Sequence, residues 1–183
     1  MSIFTNPASR SIEQAHQYVT AILGLLGSKD PISVLSSTPD AVHNAVVGLT
    51  ERELSQPEAP GKWSMRQVAR HLADSDLVWG YRLRMVLAQD RPVLTGFDQD
   101  RWADRLRYDQ APLAIAIEDF RVLRRSNLHL IDGASPADLE RVGVHAERGE
   151  ETVAHMIRLY AGHDLLHLGQ LARIRHTVRP EEK

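Results

Sequence analysis

Nine histidines stand in this 183-residue chain, and two of them, His163 and His167, lie four residues apart in a strongly helical stretch. Residues at that spacing sit one turn apart on the same helix face, so the two imidazoles are placed to share one cation. About 0.4 such pairs are expected by chance from this number of histidines, so the spacing alone decides little. The surrounding pattern decides more. Alternating steps of three and four trace an inward seam through Val153, Met156, Tyr160, His163, His167, Gln170 and Ile174. The seam is apolar at its ends and polar in its middle. A buried polar group without a partner costs on the order of 1–3 kcal/mol. Either the two imidazoles are hydrogen-bonded within a core, or something binds them.

A catalytic zinc-type site takes three protein ligands and leaves one position open. His71 is the candidate for the third, two turns into a helix and beside the Val68 and Leu72 stripe. Asp74, one turn beyond, is placed to accept the ring N–H that faces away from a metal, or to orient a water. Asp76 is expected to be an ordinary solvated charge. Hydrolysis needs a base near the water, and Asp74 and Tyr160 are the nearest candidates. Transfer of a thiol needs instead a groove for the thiol's carboxylates, which Arg66, Arg70 or Arg82 can supply. The absence of cysteine excludes a thiolate nucleophile, a disulfide framework and a Cys-based zinc site.

The remaining histidines are weaker candidates. His155 is rotated by about 80° from His163 on an α-helix. His16, His43, His129, His145 and His176 have no partner at ligand spacing, and surface or helix-end roles suffice for them. The cluster Arg121, Arg124 and Arg125 reads as a solvated helix face. Trp63, Trp79 and Trp102 are expected in the core or in a pocket wall.

The elements that must position these side chains are helices. A first helix is expected from about Ala8 to Leu26, with Ile12, Ala15, Val19, Ile22 and Leu26 on one face and Gly27 as its C-terminal cap. Asp30-Pro31 and Thr38-Pro39 both have the form of an N-cap followed by proline, and the second is expected to open a helix over 39–50. Residues 51–62 hold Pro57, Pro60 and Gly61 and read as a loop. Ser64 stands three residues before Gln67 as in a capping box, with Trp63 and Val68 placed as a hydrophobic staple. A helix over 64–88 follows, and Arg91-Pro92 ends it. A short helical piece is expected near Trp102, a fourth long helix over 112–131, a short one opened by Ser135-Pro136, and the last over 152–176. Strand-like alternation is scarce. Together these patterns predict an all-α, four-helix bundle with short additional helices, formed as a single domain over 1–183. Five long patterns are one too many for four helices, so the 39–50 or the 8–26 segment is expected at the periphery.

Three strings in order now carry a family resemblance: Trp63-Ser64-x-Arg66-Gln67-Val68-x-x-His71-Leu72-x-Asp74-Ser75, Asp98-x-x-x-Trp102-Ala103, and Tyr160-x-x-His163-x-x-x-His167-x-x-Gln170. Over about residues 30–175 the chain resembles the DinB superfamily, and within it the YfiT-like metal-dependent hydrolases. The resemblance implies a four-helix bundle with a divalent metal on three histidines, matching His71, His163 and His167, and it implies frequent dimers. Zinc or nickel is the expected ion. Better-understood relatives are transferases and isomerases that use the low-molecular-weight thiols bacillithiol, mycothiol or glutathione. Asp164, directly after the first histidine of the pair, departs from the family pattern.

Composition narrows the partners. Apolar residues make up 43% and charged residues 25%, with 22 Lys and Arg against 24 Asp and Glu. That is the balance of a soluble globular domain and lacks the basic excess of a nucleic-acid binder. No run approaches the roughly 18–20 apolar residues of a membrane span. Met1 to Pro7 lack a basic region followed by an apolar run, so no secretory leader is expected. The expectation is therefore a cytoplasmic homodimer acting on a small-molecule substrate, with no nucleic acid and no membrane. Three readings compete with a hydrolase-like or thiol S-transferase-like enzyme. A non-catalytic metal-binding or small-molecule-binding bundle is one. A structural zinc site is disfavoured because such sites close with four protein ligands. A zincin-type protease is disfavoured because His163-Asp164-Leu165-Leu166-His167 carries Asp where that motif carries Glu.

Overall fold

The computed structural model describes residues 12–180, so Met1 to Pro7 and the expected helix start at Ala8 lie outside the described residues. Eight helices and three short strands follow in the order α1 (Ile12–Leu26), α2 (Pro31–Val46), α3 (Glu51–Ser55), α4 (Met65–Ala88), β1 (Val93–Leu94), α5 (Gln99–Arg105), α6 (Leu113–Asp132), α7 (Pro136–Leu139), β2 (Val142–His145), β3 (Gly149–Thr152) and α8 (Val153–Val178). A single 3₁₀ turn at Tyr108–Gln110 separates α5 from α6.

Local chemistry sets the helix starts. Ser64 accepts from the Gln67 N–H while the Gln67 side chain accepts from the Ser64 N–H, the reciprocal capping box expected there. Asp30 caps α2 with Pro31 at its first position. Two expectations are corrected here. Thr38-Pro39 does not open a helix: Pro39 lies inside α2, and the Thr38 hydroxyl donates to the Val34 carbonyl one turn back. The 51–62 segment is not all loop, because Thr50 and Glu53 form a second capping box that starts α3.

Helices α2, α6, α4 and α8 form a closed ring in which each packs on the next, and α1 lies outside it against α8. The peripheral helix is thus the 12–26 segment. Its close approach to α8 is set by Gly162, where a Cβ would stand 2.3 Å from the Ile22 carbonyl oxygen. The bundle interior has three layers. One apolar cluster gathers Val46, Met65, Val68, Leu72, Phe120, Leu171 and Ile174, and another gathers Leu26, Leu35, Trp79, Leu83, Val86 and Met156. Along α4, α6 and α8 the residues between these clusters are polar and buried: His71, Asp74, Ser75 and Asp76, then Arg124 and Asn127, then Asp164, His167 and Gln170.

The strands were not anticipated from sequence. They are two or four residues long and form one small sheet in the order β1-β2-β3, with β1 parallel and β3 antiparallel to β2. Alternation over four residues such as Gly149-Glu150-Glu151-Thr152 carries almost no periodic signal. Gly149, at φ +81°, supplies the left-handed turn of the hairpin. The hairpin packs against α4 and α8 and brings His145, Arg148 and Glu151 to the bundle. His145 is therefore buried, not on the surface as expected.

Candidate metal centre and the cleft beside it

His71 is carried by α4 and His163 and His167 by α8, and one ring nitrogen of each lies within 4.8 Å of the other two. His71 Nε2 and His163 Nε2 are 3.2 Å apart. Two imidazole nitrogens on one tetrahedral ion at about 2.0–2.1 Å are separated by about 3.3 Å, so the spacing suits a shared cation. The tautomer of His167 is fixed by its neighbour. Its Nδ1–H donates to Gln170 Oε1 over 2.9 Å, which leaves the Nε2 lone pair for a ligand. Burial suppresses the charged form of all three rings. His71 is held well below the ordinary imidazole range by desolvation and by the other two histidines. Desolvation takes His163 down to about 3, with a contribution from the Arg124 cation, and takes His167 to about 3 as well. Neutral imidazoles with free lone pairs are the form that binds metal. The Nδ1 atoms of His71 and His163 are buried without a hydrogen-bond partner among the described residues. The donor set fits a divalent cation of the zinc type, held by His71, His163 and His167.

The candidate base Asp74 is brought near but turned to other work. Arg70 donates to its Oδ1, and the Tyr108 hydroxyl donates to its Oδ2 over 2.5 Å. The Ser75 hydroxyl lies 3.3 Å from His71 Nε2. Tyr160 stands beside His163, with ring centroids 5.9 Å apart, and stacks on Trp79 at 4.5 Å. Its hydroxyl pKa is pushed up by burial against the opposing pull of Arg82 and Arg148.

Two expectations about charge are corrected. Asp76 and Arg124 are not solvated; with Asp164 they form a buried ion triad. Arg124 Nε donates to both Asp76 oxygens at 3.2 Å, its Nη1 donates to Asp164 Oδ2 at 2.6 Å and to the Leu35 carbonyl, and its Nη2 donates to Asp164 Oδ1 at 3.1 Å. One cation between two carboxylates leaves a net negative charge in the core, and desolvation pushes Asp76 up to about 7. Spacing along one helix gives no hint of this triad, because its members are 48 and 40 residues apart.

A cleft of about 490 Å³, its open mouth included, runs from His71, Ser75 and His163 to Arg82. Val19, Ile22, Phe97 and Leu159 give it apolar walls, while Tyr18, Gln99, Arg148 and Tyr160 add polar ones. His155, half-buried, is not among the lining residues. Of the three arginines with the right chemistry for an anion, Arg66 is taken by Glu51 and the Ala111 carbonyl, and Arg70 by Asp74 and Asp119. Arg82 alone of the three lines the cleft.

Comparison with known proteins agrees with this architecture. The sequence profile of the DinB superfamily matches residues 35–171, about three quarters of the chain. A protein of Oceanobacillus iheyensis named "Putative metal-dependent hydrolase" is 29% identical over 143 residues, covering 78% of this chain and 83% of its own. A Bacillus mycoides protein of the same name is 27% identical over 147 residues, covering 80% and 84%. The solved structure of YfiT from Bacillus subtilis, described as "a probable metal-dependent hydrolase with an unusual four-helix bundle topology", superposes with a TM-score of 0.75 at 23% identity, over 91% of this chain and 88% of that one. This last likeness shows a shared fold.

Proposed function

We propose, from the premise that the chain belongs to the DinB superfamily, that it is a metal-dependent enzyme whose ion is held by His71, His163 and His167 and whose small-molecule substrate lies in the adjoining cleft. The observation that carries the proposal is the convergence of three neutral imidazoles, two of which, His71 and His163, line an open cleft. When bound, a divalent cation supplies Lewis acidity: it polarises a carbonyl or phosphoryl oxygen and acidifies a water or a thiol. Gln170 keeps the Nδ1 proton on His167 and so keeps the Nε2 lone pair directed at the ion. The Ser75 and Tyr160 hydroxyls stand where they can donate to an oxygen of the substrate. Val19, Ile22, Phe97 and Leu159 exclude water from the substrate's body and strengthen those polar contacts.

A hydrolase-like reaction is the first reading, in keeping with the relatives' names. One observation favours thiol S-transfer as the second: the described residues lining the cleft include no carboxylate and one arginine, Arg82, that no described carboxylate pairs, so they offer a cation for an anionic thiol and no base for water. Zinc or nickel is the proposed ion, and the proposed setting is a cytoplasmic homodimer. Among the described residues no helix is long and apolar enough to cross a membrane. Leu77 and Tyr81, exposed one turn apart on α4, offer apolar surface for a second copy.

The test is metal analysis of protein purified without an affinity tag, followed by a panel of activated esters and of electrophiles with small thiols, each with and without added zinc or nickel. One ion per chain and a turnover that rises with the added ion and disappears in His163→Ala are expected. A chain that binds no ion, or a turnover indifferent to it, would refute the proposal and leave a non-catalytic binding bundle.

A further inference from the structure

His71, Ser75, Trp79 and Arg82 follow one another at steps of four, four and three along α4, so they share one face of the helix. Eleven residues amount to about 16 Å of helix rise, and the cleft follows this face from the histidines to Arg82. Arg82 is only 5% exposed. Its one hydrogen bond to a described residue is from Nη2 to the Thr95 carbonyl, and its Nε is buried with no partner. No described carboxylate pairs with it. The neighbouring cation differs: Arg148 is neutralised by Glu151, to which its Nε and Nη2 both donate. The opposite end of the cleft from the metal ligands therefore holds one guanidinium whose charge is unpaired by a described carboxylate and whose Nη2 alone donates to a described residue. A buried cation without a counter-charge is costly unless a ligand supplies one. Gln99, only 7% exposed, and the hydroxyls of Tyr18 and Tyr160 line the same space and make no side-chain hydrogen bond to a described residue.

We propose that Arg82 anchors the carboxylate of a small, partly apolar organic acid, which lies along the cleft with its reacting end toward the three histidines. Guanidinium and carboxylate match as planar, bidentate partners. A monoanion is the complement because one uncommitted cation faces the cleft; a phosphate dianion would bring surplus negative charge into a space with apolar walls. Val19, Ile22, Phe97 and Leu159 provide for a hydrocarbon body between the two ends. The inference rests on the metal-dependent reading for the reacting end and on Arg82 for the other.

The experiment is an NMR titration of the full-length protein with hexanoate, hexanamide and butyl phosphate, following backbone amides and the Arg82 Nε–H signal. Hexanoate is expected to shift the Arg82 signal and to bind at least tenfold more tightly than either of the others. Arg82→Gln is expected to weaken hexanoate at least tenfold while metal binding is retained, and Arg121→Gln, on the surface beside Asp40, is expected to change neither. His163→Ala is expected to lose metal and keep carboxylate binding. If Arg82→Gln binds hexanoate within threefold of wild type, or hexanoate and hexanamide bind alike, the anchor is refuted while the metal site stands. Should Arg82→Gln fail to fold, the acid-to-amide ratio and the Arg82 signal in the wild type decide the matter.

Discussion

Within one polar layer of the bundle, Arg124 gives every guanidinium nitrogen to Asp76, Asp164 or the Leu35 carbonyl, whereas His71 and His163 each keep a buried Nδ1 without a partner. The two groups nearly touch: His163 Nδ1 lies 4.0 Å from Asp164 Oδ1. The triad is complete within the protein and joins α4, α6 and α8. In the histidine cluster the Nε2 atoms of His71 and His163 instead face each other at 3.2 Å, the spacing of two ligands on one ion. Two polar groups in one layer therefore differ in purpose: one is saturated by protein partners, and the other turns ring nitrogens toward a common point.

Acid should separate the two regions most strongly, because their pKa shifts have opposite signs. The folded-state pKa of His71, His145, His163 and His167 lies below the unfolded value. Below about pH 6.5 the unfolded chain takes up protons that the folded chain refuses, and each such histidine costs about 1.4 kcal/mol per pH unit. Asp76 works the other way. Its folded pKa of about 7 lies above the unfolded value, so between the unfolded value and about 7 the folded state holds a proton that the unfolded one lacks, and falling pH favours folding. Four histidines outweigh one aspartate. Urea melts of chelator-treated protein should show stability falling steeply from pH 6.5 to 5, and Asp76→Asn should make the fall steeper. A flat profile would mean that the histidines are not buried as neutral rings.

Breaking the saturated region is expected to have the next largest effect. Arg124→Met strands two buried carboxylates, and removal of one member of such a group costs about 3–5 kcal/mol. Replacing all three residues by apolar ones of similar volume should recover most of that loss, which a denaturant series on both variants will measure. Equal stability of wild type and Arg124→Met would show that the triad is not formed.

The smallest effect belongs to the support of the histidine cluster. Gln170→Leu removes the acceptor for His167 Nδ1–H and should weaken zinc about 10- to 100-fold, the usual consequence of losing such a partner, while the stranded N–H should lower the stability of the metal-free protein by about 1–3 kcal/mol. Competition with a chromophoric chelator measures it. An unchanged zinc affinity would remove Gln170 from the site.

The difference between the regions also explains what the sequence discloses. The spacing of His163 and His167 and the Ser64 to Gln67 capping box are local patterns, and local patterns are read directly from the chain. His71 joins them because it sits on the inward stripe of a helix with a clear start. The triad is invisible to periodicity: Arg124 shares its stretch with two other arginines, and only the packing of α6 between α2 and α4, with the guanidinium reaching Asp164 of α8 across the bundle, shows that it points inward. His145 reaches the bundle and Arg148 the cleft through a hairpin too short to leave an alternating pattern. Arg66, Arg70 and Arg82 look alike as letters, and they part company once Glu51, Asp74 and Asp119 claim the first two.

X-ray absorption at the zinc edge, recorded on zinc-loaded wild type and on His71→Ala, His163→Ala and His167→Ala, tests the three-histidine centre most directly. The wild type should show three imidazoles with nitrogens at about 2.0–2.1 Å and one further light-atom ligand. Each variant should show two imidazoles or bind no zinc. A first shell with fewer than three imidazoles in the wild type, or an imidazole count that stays the same in the variants, would contradict the account.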